Sequence, residues 1–455
     1  MKNLLITALW VLLLVSCNSH SSEQTRASNY QSNLDQLLDV LDENDKFMGN
    51  VTLSHEGKSI YSKSVGFSNI ESKMPITSAT KFRIGSVSKM FTATLIFKAI
   101  EEGKLSLDQT LESYFPEVEN ASSISVEHLL CHQSGVYSYT KDEVFRNELS
   151  KAYQSPQDLM SLVSGYPSKF EPGTQTSYSN SGYFLLALLL EEVYDKGFDE
   201  LIAAIILVPL ELTNTYLPDG ITSLGEETNS YRNSDGWVEE DKWNLSVGFG
   251  AGSIVSTPND LNTFIEALFN ERIISKESLN QMTTIENNFG RGIIPFSTEG
   301  HSGFGHGGVI EGFKTMSFYF PEEKLALAVT ANALDYNMDG LVTDILKGYF
   351  NESFVLPVFG GLAITAGELE KYIGVYEAEG LPGKYKITMK GNTLFAQLED
   401  PAIEDDFPID PLVYKGNHKF TNEEIGANLL FEPGNQQLGL EQQGISEIYI
   451  FSKAK

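Results

Sequence analysis

Only two of the 455 residues are cysteine, Cys17 and Cys131, so a disulfide framework is excluded and an apolar core has to carry the fold. Basic residues are also scarce: 32 stand against 61 acidic ones, for a net charge of −29 at pH 7. Nucleic-acid binding needs clustered Lys and Arg, and this balance argues against it as well as against contact with anionic lipid headgroups. Low-complexity tracts and internal repeats are missing. So is a spanning helix, which needs about 20 apolar residues; the apolar run Leu4 to Val15 is too short. What remains is ordinary apolar content, 41%, in a chain long enough for one large domain and a small one.

The N-terminus reads as an export signal. Met1-Lys2-Asn3 is basic, the apolar run follows, and Leu14-Val15-Ser16-Cys17 looks like a bacterial lipobox. The expectation is a signal peptide over 1–16, an acylated Cys17 and a polar, Ser-rich tether over 17–29, so that the protein is a lipid-anchored periplasmic or outer-membrane lipoprotein of the cell envelope. Ordinary signal cleavage with an incidental cysteine is the alternative. Acylation of Cys17 would leave Cys131 without an intramolecular partner.

Candidate chemistry begins at Phe82-Arg83-Ile84-Gly85-Ser86-Val87-Ser88-Lys89. Ser86 and Lys89 share one face of a helix start, where the Lys89 amine can accept the Ser86 proton and make Ser86 a nucleophile. S-x-x-K also occurs at Ser78/Lys81, Ser138/Lys141 and Ser452/Lys455, and only context separates them. Ser86 alone precedes a long apolar pattern (Met90, Phe91, Leu95, Phe97, Ile100), which stops at Glu101-Glu102-Gly103. A second constellation is Tyr178-Ser179-Asn180, set between Pro172-Gly173 and the apolar helix pattern Phe184 to Val193. The same Y-x-N spacing at Tyr231 and Tyr349 lacks that setting. A third is His306-Gly307-Gly308-Val309, followed by strand patterns over Thr315–Phe320 and Leu325–Thr330; His55 and His301 match H-x-G without the paired glycines.

Taken in order, Ser86-x-x-Lys89, Tyr178-x-Asn180 and His306-Gly307-Gly308 resemble the three motifs of the serine β-lactamase and penicillin-binding-protein-like superfamily, in its class C, D-peptidase and esterase branch. Further words are similar to family words, Ser125 to Gly135 and Gly248 to Leu261 among them, over about residues 40–350. The resemblance implies Ser86, Lys89 and Tyr178 as catalytic residues, with either Lys89 or Tyr178 as the base. It implies Asn180, His306, Gly307 and Gly308 as substrate-binding residues, Asn180 also holding Lys89, and the backbone N–H groups of Ser86 and Val309 as the oxyanion hole. The implied function is a serine hydrolase acting through an acyl-enzyme on amide or ester bonds, in D-amino-acid peptides, small esters or β-lactams. A penicillin-binding sensor with little turnover is the alternative. No cofactor and no metal are expected. His128 and His132 flank Cys131, but no Glu follows His128 and no third ligand is evident, so both are expected to be hydrogen-bonded in a helix-to-loop corner.

True β-lactamases commonly carry Lys-Thr-Gly where this chain has His306-Gly307-Gly308. An unperturbed histidine, near 6.5, is mostly neutral at pH 7, and Gly307 has no hydroxyl. A weak hold on a β-lactam carboxylate is expected, with anionic substrates gaining as pH falls through the His306 pKa.

The expected fold class is α+β: an antiparallel sheet built from both ends of a β-lactamase-like catalytic domain over 30–358, flanked by helices, with a helical region inserted. A small antiparallel β domain, lipocalin-like by the same resemblance, is expected over 361–455, where Tyr385 to Met389 alternates, turns at Gly391-Asn392 and resumes at Leu394.

Overall fold

The computed structural model describes residues 30–218, 227–234, 236–298, 300–352, 355–378, 383–399, 409–423, 425–442 and 448–454. The signal peptide, Cys17 and the tether lie outside them. By compactness the chain divides into Phe47–Leu334 and a second unit made of the residues up to Lys46 with those from Asp335 onward.

The first unit is organised on a six-stranded antiparallel sheet. Its strands are β1 (Phe47–His55), β2 (Lys58–Val65), β3 (Ile294–Thr298), β4 (His301–Ile310), β5 (Phe313–Phe320) and β6 (Leu325–Leu334), in the order β2-β1-β6-β5-β4-β3. Both ends of the unit therefore meet in the β1–β6 pair, Val51 opposite Val329. The β1–β2 turn uses Glu56 and Gly57, both at positive φ, as a tight hairpin requires.

Between β2 and β3 lie the helices of the inserted region, joined by long loops and short strand pairs. Helix α1 occupies residues 30–43 of the other unit; α2 (Ser88–Glu101), α3 (Asn180–Tyr194) and α4 (Pro258–Phe269) belong to this one. Gly103 ends α2 at φ 70° with its N–H bonded to the Ile100 carbonyl, as expected of a left-handed C′ residue. Thr257 caps α4, its hydroxyl accepting from the Asp260 N–H, with Pro258 in the first turn. Helices α2, α3 and α4 share one core, in which Phe91 of α2 stacks on Phe264 of α4 at 3.8 Å. Each such ring contributes about 1.5–3 kcal/mol by leaving water.

In the second unit, α1 meets α5 (Met338–Phe350) through an edge-on pair of Tyr30 and Tyr349 and through the Asn33 amide on the Gly348 carbonyl. Lys46 bonds Asp335 at 2.7 Å and Glu423 at 3.1 Å, so these helices group with the C-terminal domain by compactness. That domain is a closed antiparallel barrel of β7 (Gly374–Glu377), β8 (Lys384–Lys390), β9 (Thr393–Glu399), β10 (Asp410–Gly416), β11 (Lys419–Asn422), β12 (Ala427–Glu432), β13 (Gln437–Gln442) and β14 (Tyr449–Lys453). Closure runs through the β7–β14 pair, Tyr376 opposite Lys453. Alternate residues point inward, as Ala427, Leu429 and Phe431 do along β12, and closure leaves no free edge. This is the small antiparallel β domain expected from the alternating pattern.

Candidate active site

Ser86 does not sit in the α-helix that its spacing predicts. It occupies a 3₁₀ turn, Gly85–Val87, and α2 begins at Ser88. The cause is Gly85, whose φ of +52° breaks the helix register. The turn is clamped on both sides. Phe82-Arg83 pairs with Val255-Ser256, and the Ser88 hydroxyl accepts from the Ile254 N–H. On the other side β4 lies backbone to backbone: a Cβ on Gly308 would stand 2.0 Å from the Ile84 oxygen and 3.0 Å from the Ser86 nitrogen. A Cβ on Gly85 would stand 2.9 Å from the Val309 nitrogen. Two glycines thus let the main chain around Val309 lie against that of the nucleophile turn.

Arg83 reinforces this contact from below. Its buried guanidinium donates to the Glu311 carboxylate at 2.5 Å and to the Trp243 carbonyl at 2.8 Å. Glu311 also accepts the Trp243 N–H at 2.7 Å. The end of β4, the nucleophile turn and the Trp243 loop are held by one charged, multiply bonded group.

Lys89 is fully buried. Its Nζ lies 3.1 Å from Ser86 Oγ, 2.7 Å from Asn180 Oδ1 and 2.8 Å from the Ala251 carbonyl. All three partners are uncharged, and burial pushes the amine well below the usual lysine range. A neutral amine has two N–H bonds and one lone pair. Asn180 Oδ1 and the Ala251 carbonyl can only accept, so in the neutral form they would take the two N–H bonds and the lone pair would face the Ser86 hydroxyl.

Tyr178 lies on the loop before α3, its ring 4.9 Å from Lys89 Nζ. Burial raises its hydroxyl pKa, an effect that its hydrogen bond with Ser86 opposes. Asn180 opens α3 and is bonded at both ends, Oδ1 to Lys89 and Nδ2 to Thr140 at 2.8 Å. Its backbone N–H donates to Ser138 Oγ at 3.0 Å.

His306 points from β4 toward the same centre, 6.4 Å from the Tyr178 ring. It corrects one expectation. Burial first, and Lys89 second, lower its pKa to about 4, so it is neutral across the physiological range, and any gain from protonating it belongs near pH 4 rather than near 6.5. The ring is neutral at pH 7, as expected; what burial changes is the unperturbed value from which that expectation started. The two histidines of the proposed corner have separate hydrogen-bonding tasks: Nδ1 of His128 accepts from the Ser125 N–H, and Nδ1 of His132 from the Ser179 N–H. Cys131 is buried and free, its thiol pushed up to about 11 by burial.

A cavity of about 180 Å³ opens over this cluster, lined by Ser86, Tyr139, Thr140, Asn180, Trp243 and Val309 among others. Several of these residues were not singled out from sequence. Ser138 appeared only as an S-x-x-K decoy, and Thr140 follows it. The Gly248 to Ser253 word reads locally as a lead-in to α4, yet its Ala251 carbonyl holds Lys89 and its Gly250 carbonyl accepts from the Thr92 hydroxyl at 2.6 Å. Glycine density was the available signal.

The profile of the Beta-lactamase family matches residues 34–349. The chain belongs to that family. Penicillin-binding protein 4* of Bacillus subtilis (strain 168) is 27% identical to this β-lactamase-family chain over 329 residues, 67% of this chain and 72% of that protein. Teichoic acid D-alanine hydrolase of Staphylococcus aureus (strain MRSA252) is 27% identical over 274 residues, 59% and 67% of the two chains. The fold is similar to that of D-amino acid amidase from Ochrobactrum anthropi SV3, with a TM-score of 0.63 at 23% identity over 72% of this chain and 99% of that one. The β-lactamase-family chain is a serine hydrolase acting on amide or ester bonds.

Proposed function

We propose that this enzyme hydrolyses small esters or amides of D-amino acids, or short D-amino-acid peptides, in preference to β-lactams, while anchored to the cell envelope through Cys17. Ser86 Oγ bonds to the substrate carbonyl carbon as its proton passes to the Lys89 amine. The N–H groups of Ser86 and Val309 stabilise the resulting oxyanion, a device worth about 3 kcal/mol per donor in other hydrolases. The proton then travels through Tyr178 to the leaving alcohol or amine as its bond to carbon breaks. Water repeats the sequence on the acyl-enzyme, releasing the acid and restoring the Ser86 hydroxyl.

The observation that carries the reading is the setting of Lys89: a buried amine with two pure acceptors and the Ser86 hydroxyl around it. Burial drives Lys89 toward its neutral form and Tyr178 toward its protonated form. Opposite shifts in neighbouring groups assign base and acid, which favours Lys89 as base and Tyr178 as relay. Asn180 bonds Lys89 through Oδ1 and Thr140 through Nδ2, so it holds the base, and the second Nδ2 hydrogen can serve the substrate. A neutral His306 beside Gly307 gives a substrate carboxylate no fixed positive charge, which disfavours penicillins and cephalosporins. The D-amino-acid preference draws on the similarity to the D-alanine hydrolase of Staphylococcus aureus.

Mass spectrometry after exposure to a fluorophosphonate, followed by a panel of a p-nitrophenyl ester, a D-alanyl amide and nitrocefin, tests it. The expected result is one phosphonyl adduct on Ser86, absent in Ser86→Ala, with ester or amide turnover above nitrocefin turnover. A labelled Ser86→Ala protein would refute the nucleophile. Nitrocefin as the fastest substrate would make β-lactamase the better description, and a stable penicilloyl adduct without turnover of any substrate would favour the sensor.

A further inference from the structure

The second motif is held on both sides of its tyrosine by one residue outside all three motifs. The His132 carbonyl accepts the Ser177 N–H at 2.9 Å, and its Nδ1 accepts the Ser179 N–H at 3.2 Å. Between those two bonds stands Tyr178, whose ring lies 4.3 Å from the His132 imidazole. Tyr183 and Phe289 close the other sides of the imidazole at 5.3 and 5.0 Å.

We propose that His132 is a positioning residue for Tyr178: its backbone and Nδ1 fix residues 177–179, its ring fixes the phenol plane, and the Tyr178 hydroxyl is thereby aimed at Ser86 and Lys89. The proposal rests on the reading of Tyr178 as the proton relay. Its chemistry demands one protonation state. Nδ1 must be bare to accept the Ser179 N–H, so the ring proton sits on Nε2; a proton on Nδ1 would face that N–H directly. The surroundings enforce this, since the imidazole is 3% exposed and burial, then the nearby Lys89, push its pKa well below 6.5. The groups facing it are Lys89, His306, Tyr178 and Tyr183, none of them acidic at neutral pH.

The backbone also constrains which residue can serve. His132 is at φ 57°, the left-handed region that asparagine and glycine adopt readily. That allows a clean separation of effects. His132→Asn keeps the backbone conformation and sets an amide oxygen near the place of Nδ1 while removing the ring. His132→Gly keeps the conformation and removes both. Each loses a similar packing contact, so the difference between them reads the hydrogen bond rather than the fold.

Full-length protein is used throughout, with kcat, KM and melting temperature measured on one ester, and Tyr178→Phe run in parallel. Misplacing a reacting group by about 1 Å costs on the order of 100-fold. The expected result is a fall in kcat of about 10- to 100-fold for His132→Gly with KM within about threefold, and recovery of at least half that loss on a logarithmic scale by His132→Asn. Wild-type kcat in His132→Gly, or equal kcat in the two variants, overturns the proposal. If Tyr178→Phe keeps wild-type kcat, the relay reading itself has failed, whereas an inactive Tyr178→Phe beside an unaffected His132→Gly removes only the role of His132.

Discussion

Replacing Gly308 with alanine should disable the enzyme through the backbone alone. The new Cβ would stand 2.0 Å from the Ile84 oxygen, and carbon reaches ordinary contact at about 3.4 Å, so β4 and the nucleophile turn must part by roughly 1.4 Å. Neither side has a flexible group to yield, because the Ile84 carbonyl and the Ser86 nitrogen are main chain and the turn is pinned by the Val255 pairing and by Arg83. The Val309 N–H leaves with the strand. Loss of one oxyanion donor is worth about 2.7–4 kcal/mol, or about 10²- to 10³-fold in kcat. Gly307→Ala is the internal comparison: its Cβ would meet the Met316 Sδ at 3.1 Å, the far end of a side chain that can turn away, and its effect should be milder by at least tenfold. Stopped-flow acylation by a p-nitrophenyl ester, with circular-dichroism melting to establish folding, measures both. A folded Gly308→Ala protein acylated within threefold of the wild-type rate would refute the backbone oxyanion site, and so would equal losses in the two variants.

Lys89 should leave a signature in stability as well as in rate. Burial lowers its pKa in the folded state, while the unfolded value stays near 10.4. Between those values the unfolded chain binds the extra proton, so stability rises with pH across that window and is flat below it. Urea unfolding from pH 6 to 9.5 should show the wild type gaining on Lys89→Met as pH rises, and parallel curves would contradict a neutral buried lysine. The same variant should lose fluorophosphonate labelling. Cys17→Ala should move the protein from the detergent phase to the aqueous phase with unchanged kcat; continued partition into detergent would exclude the lipid anchor.

Short-range features are legible in the sequence. The Gly103 stop of α2 and the alternation of the C-terminal strands each depend on residues within a few positions of one another, and local backbone preference decides them. The three motifs were legible for the same reason, since each is a short word. Tertiary structure alone decided how they meet. Lys89 finds Asn180 at a separation of 91 residues and the Ala251 carbonyl at 162, distances over which no periodicity carries information. The lowered pKa values of Lys89 and His306 are properties of burial among those distant segments, so a model-peptide value misjudged His306. Gly85 showed only as a glycine in the motif. That it leaves the helix at φ +52° and, with Gly308, lets two main chains touch depends on a strand more than 200 residues away, because steric exclusion acts between atoms that only the folded chain brings together.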